Sequence, residues 1–171
     1  IRLCSTIPLG RGLGSSAAVA LAIVRGLFAY FEHQAEKDEL MALVDIAEKY
    51  AHGNPSGIDM AAVSSEEPIW FQKGKGILSL QIGTPLFLVV ADSGRIGGTK
   101  EAVNGVKEKY HLNPEKTQAT LDRLEKITYE VRNALCLGQL KSLGSLLNLA
   151  HEELRNLGVS DDGLNKLIDV A

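Results

Sequence analysis

The chain has only two cysteines, Cys4 and Cys136, far apart and outside any CxxC spacing, so neither a disulfide framework nor a cysteine zinc knuckle is available. That usage fits a reduced cytoplasmic compartment. Four histidines, His33, His52, His111 and His151, share no ligand spacing, and a zinc site is not expected. An excess of positive charge is also lacking. Lysine and arginine number 18 against 21 acidic residues, a net charge of -3, which argues against nucleic acid or an acidic membrane surface as partner. No long apolar run is present either: the longest, from Ala17 to Ala29, contains Arg25 and falls short of the ~20 residues that a bilayer crossing needs. The first residue is Ile1 rather than methionine, and no basic segment precedes an apolar stretch and cleavage site. The chain is therefore expected to start inside a domain, as a piece of a longer protein.

What is there is ordinary globular material. Of 171 residues, 45% are hydrophobic and 23% charged, which excludes disordered and low-complexity readings. Ile1 to Ile7 reads as a strand ending at Pro8. A glycine-rich loop follows, and then a helix with Ala18, Val19, Ala22, Ile23, Gly26, Leu27 and Tyr30 recurring on one face. A second helix over Lys37 to Tyr50, with Asp38 as its cap, would turn Leu40, Leu43, Val44, Ala47 and Tyr50 inward. The loop from His52 to Asp59 is dense in turn formers. Pro68 to Gln72 and Ile77 to Ile82 read as a hairpin around Lys73-Gly74-Lys75-Gly76, with Trp70 as a core or edge-strand aromatic. Gly83-Thr84-Pro85 breaks the pattern, and a domain boundary is placed near Ile82 to Pro85. Leu86 to Ala91, apolar throughout, reads as a fully buried strand. Helices are expected over Thr99 to Tyr110, Pro114 to about Leu137 with Leu121, Leu124, Val131 and Leu135 inward, Gln139 to Leu157 and Asp161 to Ala171.

Three clusters could carry chemistry. In Leu9-Gly10-Arg11-Gly12-Leu13-Gly14, small residues let the backbone approach an anion, Ser15 and Ser16 add hydroxyls, and the following helix offers unpaired N–H groups. Polyphosphate is the natural guest, although a glycine-rich turn before a helix can equally serve packing alone. The string is no Walker A loop, since Ser15 stands where the lysine would come, and the third glycine lacks dinucleotide-fold spacing. Glu48 and Ser16 together could hold a hard cation, and Asp59, on a rigid Pro-Ser-Gly turn, could orient and deprotonate an attacking hydroxyl. The bland alternatives are a solvated helix carboxylate beside Lys49 or His52 and a helix cap at Asp59. The third cluster, Asp92 to Lys100, is either a ligand loop or a surface turn with Thr99 as a helix cap.

Taken together, the run Pro8-Leu9-Gly10-Arg11-Gly12-Leu13-Gly14-Ser15-Ser16-Ala17-Ala18 resembles the phosphate-binding motif of the GHMP kinases. Within that family, His52-Gly53-Asn54-Pro55-Ser56-Gly57-Ile58-Asp59 and Gly98-Thr99-Lys100 are similar to the mevalonate kinase branch. The resemblance implies an α+β, two-domain fold: residues 1–83 as part of an ATP-binding domain like domain 2 of ribosomal protein S5, and residues 84–171 as part of a ferredoxin-like domain, both incomplete. It implies ATP-dependent phosphorylation of mevalonate, with Mg2+ as cofactor, no nucleic-acid or membrane partner, and room for a homodimer. Phosphomevalonate kinase or another small-molecule kinase of the family is the alternative, and a non-catalytic binding protein of the same fold the second. By the same resemblance, Asp59 is the catalytic carboxylate, Ser16 and Glu48 are metal ligands, and Pro8, Gly10, Arg11, Gly12, Leu13, Gly14, Ser15, Ser16 and Ala17 bind ATP. His52, Ser56 and Thr99 are assigned to the acceptor substrate.

Overall fold

A computed structural model describes residues 2–53, 55–95 and 98–170. The chain divides into two compact units, Ile1–Leu80 and Gln81–Ala171.

In the first unit, α1 (Ser15–Tyr30) packs on α2 (Lys37–His52) and on the short α3 (Ile58–Val63), and α3 leads into an antiparallel hairpin of β1 (Ile69–Gln72) and β2 (Gly76–Ser79). Ile69 pairs with Ser79 and Gln72 with Gly76, so the hairpin closes on Lys73, Gly74 and Lys75. Gly74 and Gly76 hold positive φ there, which a side chain would resist. The core of this unit is small: Ala17, Leu21, Val44 and Ala61 are its buried apolar side chains.

Two expectations about faces are corrected. The buried stripe of α1 runs through Ala17 and Leu21, while Ile23, Leu27 and Tyr30 are exposed. This helix is apolar nearly all round, so spacing alone does not choose between two adjacent stripes. On α2, Val44 is buried as expected, yet Leu43 and Tyr50 face outward and Glu48 takes an inward place. The cap of α2 is Glu36 rather than Asp38, and no side chain caps it. Residues 2–7 form no ladder with any described strand, so the expected first strand is absent among the described residues.

In the second unit, α4 (Thr99–Leu112), α5 (Pro114–Leu137), α6 (Leu140–Leu157) and α7 (Asp162–Val170) follow one another, with α5 packed on both α4 and α6. The bounds of α5 follow from local chemistry. Asn113 Oδ1 accepts the Lys116 N–H, proline stands at the first helical position, and Gly138 ends the helix in the left-handed conformation. Thr117 and Thr120 are buried without penalty because each hydroxyl donates to a carbonyl, of Lys109 and Lys116 respectively. Ahead of the helices, the Gly83 N–H donates to the Leu135 carbonyl at 2.9 Å.

Leu86 to Ala91 is the largest departure from expectation. The segment pairs with no described strand, and Phe87 and Val89 are each 96% exposed. An apolar run is buried only where neighbouring strands and a covering layer exist, and no described residues supply either. Four helices and no strand make up this unit among the described residues.

Candidate active site

The glycine loop alternates its backbone signs. Gly10, Gly12 and Gly14 have φ of 68°, 71° and 67°, while Arg11 and Leu13 between them do not enter the positive region. Successive N–H groups in such an alternation converge on one side, the arrangement that receives anions. Gly14 is also the N-cap residue of α1, and no side chain caps that helix. No side chain takes the first-turn donors of α1, which lie at a helix end carrying about half a positive charge.

Ser16 and Glu48, 32 residues apart, meet directly. The Ser16 hydroxyl donates to Glu48 Oε1 at 2.7 Å, and Glu48 is only 5% exposed. The reading of Glu48 as a solvated carboxylate is thereby corrected; its neighbour Lys49 pairs instead with Asp45, one turn back on the same helix. A carboxylate and a hydroxyl are hard oxygen donors, and burying the carboxylate beside a helix start makes a cation welcome there. Among the described residues, no group of three or more His, Cys, Asp or Glu side chains could hold a metal unaided. A cation at Ser16 and Glu48 would complete its shell from water and phosphate, the habit of magnesium.

Asp59 comes to the same loop by way of α3. Gly57, in the left-handed conformation with φ 89°, is the N-cap residue of that helix, and Asp59 is its second residue with no capping bond. The alternative of Asp59 as a cap is thus not what the backbone uses. A Cβ built on Gly14 would lie 3.8 Å from the Asp59 Cβ and 3.4 Å from Val63 Cγ1, so the glycine loop and one side of α3 touch where Gly14 is bare. Asp59 is exposed, as a group meeting a substrate must be.

The remaining site residues are placed as follows. Ser56 is exposed and its Oγ accepts the Ile58 N–H at 3.3 Å, so it shapes the turn before Asp59. His52 ends α2, and its side chain lies outside the described residues, as does Asn54. Thr99 opens α4 in the second unit and is exposed; the cap there is Gly98, not Thr99. In the turn before it, the Gly94 N–H donates to Asp92 Oδ1 at 2.8 Å. Sequence reasoning missed the contact between Gly14 and α3, because spacing does not reveal which helix covers a loop.

With this geometry in place, comparison with known proteins gives a consistent answer. Residues 1–66 match the family described as GHMP kinases N terminal domain. Those residues belong to the GHMP kinase family. Along the whole chain, a mevalonate kinase of Thermococcus sibiricus is 32% identical over 173 residues, covering 98% of this chain and 51% of that protein. A mevalonate kinase of Pyrococcus horikoshii is 31% identical over 176 residues, covering 100% of this chain and 52% of that protein. The chain spans about half the length of the curated relatives it matches. Among solved structures, an L. major mevalonate kinase in complex with R-mevalonate superposes with a TM-score of 0.80 at 28% identity, covering 89% of this chain and 48% of that one. The fold class is accordingly α+β, the GHMP kinase type. No helix among the described residues is long and apolar enough to cross a membrane.

Proposed function

We propose that this chain carries the catalytic machinery of a mevalonate kinase, which transfers the γ-phosphoryl group of ATP to the primary hydroxyl of mevalonate and yields 5-phosphomevalonate. The observation that carries the reading is the 2.7 Å bond from Ser16 to a buried Glu48 at the uncapped start of α1, directly after three left-handed glycines. A packing turn has no use for a buried carboxylate at that place, whereas a triphosphate with its cation does. Similarity to mevalonate kinases over the full chain, and to one holding R-mevalonate, supports the choice of acceptor.

In this reading the backbone from Pro8 to Ala17 cradles the triphosphate, and Ser16 and Glu48 hold Mg2+. When bound, the cation neutralises charge on the phosphate oxygens. Asp59 faces the acceptor: its carboxylate orients the mevalonate hydroxyl and takes its proton as the hydroxyl oxygen bonds to phosphorus and the bond to ADP breaks. His52, Ser56 and Thr99 serve the acceptor side. Residues 1–83 form part of the ATP-binding domain and 84–171 part of a second domain, in a cytoplasmic enzyme.

The test is an acceptor screen on the full-length protein with ATP and Mg2+, offering mevalonate, phosphomevalonate, homoserine and galactose. Phosphorylation of mevalonate above the others is the expected result. Preference for phosphomevalonate replaces the proposal with its sister activity, and ATP binding without turnover on any acceptor replaces it with a binding protein.

A further inference from the structure

The start of α7 meets the turn that leads toward Thr99. Asp161 caps this helix, its Oδ1 accepting the Leu164 N–H at 2.9 Å while its backbone carbonyl accepts from Asn165. Its other carboxylate oxygen lies 3.7 Å from Arg95 Nη1. The Leu164 amide above all holds the Asp161 carboxyl below its ordinary value against the opposing effect of burial, with the Gly163 amide and the Arg95 charge adding to it. Two residues after Asp161, the bare Cα of Gly163 faces Ser93. A Cβ at Gly163 would stand 3.2 Å from Ser93 Cβ, 3.4 Å from the Ser93 carbonyl oxygen and 3.1 Å from Asp161 Oδ1. Helix and turn therefore sit this close only because residue 163 has no side chain. The helix is itself fixed: Asn165 Oδ1 accepts from Ser160 Oγ at 2.9 Å and meets His151 Nε2 of α6 at 3.0 Å.

We propose that Gly163 and Asp161 are positioning residues, which seat the Asp92 to Arg95 turn on α7 and so set where Thr99 is presented to the acceptor substrate. The inference rests on the assignment of Thr99 to the acceptor side of the proposed reaction. Thr99 stands four positions after Arg95 in the chain, and misplacing a substrate-contacting group by an ångström can cost up to roughly 100-fold.

Gly163→Ala isolates the effect, because alanine favours a helix over glycine by about 0.5–1 kcal/mol and α7 is not weakened while its new methyl presses on Ser93. In the full-length protein, the KM for mevalonate should rise at least about fivefold, with kcat and the KM for ATP within about twofold of the parent and Tm not lowered. Adding Ser93→Gly removes the Ser93 Cβ, the one side-chain atom of the turn among the three that the methyl approaches, and should return the KM for mevalonate to within about twofold of the Ser93→Gly protein. Thr99→Val is the control for the underlying assignment. If it raises the KM for mevalonate while Gly163→Ala leaves it unchanged, the positioning role is overturned and the site stands. If Thr99→Val leaves that KM unchanged, the site assignment falls and the inference with it. Should Gly163→Ala depress kcat, both affinities and Tm together, without recovery on adding Ser93→Gly, α7 is merely structural and the proposal is overturned.

Discussion

Ser16 and Glu48 are joined by a 2.7 Å hydrogen bond that ties the first turn of α1 to the last two turns of α2. Neither helix needs this bond for its own formation, and a buried carboxylate is an expensive way to join two helices that already share apolar contacts. In the proposed reaction its place is explained by what it presents to a nucleotide.

Glu48→Gln tests that explanation. Glutamine keeps an acceptor for the Ser16 hydroxyl but removes the charge, and a neutral amide is a weaker ligand for a hard cation. In the full-length protein the Mg2+ concentration for half-maximal rate should rise and turnover should fall by at least about tenfold, with the fold retained in a thermal melt. Magnesium titrations and a thermal melt on the same preparation decide it; an unaltered Mg2+ dependence rules out the assignment.

Two glycines of the phosphate loop separate binding from folding. Gly12 has φ 71° with nothing within 4 Å of an added Cβ, so Gly12→Ala costs only backbone strain, about 1 kcal/mol. Gly14 has φ 67°, and an added Cβ meets Val63 at 3.4 Å, so Gly14→Val should lower Tm as well. Calorimetric ATP titration should show affinity falling at least about tenfold for Gly12→Ala, since the backbone amides must keep their convergence to hold phosphate. An ATP affinity equal to the parent's would make the loop a packing turn.

Where an element is specified by its own residues, the sequence was legible. Asn113, Pro114 and Gly138 bracket α5, and the expected helix and the observed one coincide over Pro114–Leu137. Where a feature depends on a partner, legibility ended. The run from Leu86 to Ala91 has the composition of a buried strand, but composition cannot provide the neighbouring strand, and the segment is exposed. On α1 the face was misjudged by one residue because Ala17 and Ala18 are equally apolar, and only the position of α2 and α3 decides which is buried. The candidate site divides in the same way. Motif residues pointed to the glycine loop, Ser16, Glu48 and Asp59, which the fold does bring near one another, whereas the seat of the Ser93 turn against Gly163, 70 residues later, has no local signature.

Acid sensitivity should centre on α5 and α6. Arg123 grips Glu153 through both carboxylate oxygens, Nε to Oε1 at 2.7 Å and Nη2 to Oε2 at 2.9 Å. The hydrogen bond from Arg123 holds the Glu153 carboxyl below its usual range, against a smaller opposing effect of burial. A carboxylate lowered in the folded state stabilises it above the unfolded value of about 4.3, and that contribution is lost as pH falls through the lower folded value. Tm should therefore drop below about pH 4.3 in part through this pair, and Glu153→Gln should lower Tm at pH 7 by no more than about 3 °C while flattening the acid limb. Melts between pH 3 and pH 7 on both proteins give the comparison; identical acid limbs would place the sensitive carboxylate elsewhere.

In the proposed reaction Asp59 bears the heaviest mechanistic load, and its surroundings make it a clean target. Phosphoryl transfer asks a protein mainly for alignment and charge stabilisation, so a carboxylate at the acceptor holds the hydroxyl in line and accepts its proton. Because Gly57 is the N-cap residue of α3 and Asp59 caps nothing, Asp59→Asn removes no helix-terminating bond. Asparagine preserves size and most hydrogen bonding but cannot take the proton, and such general-base contributions are typically ~100-fold to ~10,000-fold. Turnover in the full-length protein should fall at least ~100-fold, with ATP affinity within about threefold and Tm steady. Asp59→Glu, which restores the carboxylate on a longer stem, should recover part of the rate if the proton transfer matters, and none if Asp59 serves only as a shape. Turnover of the Asn protein above roughly a tenth of the parent's would move the base to another group.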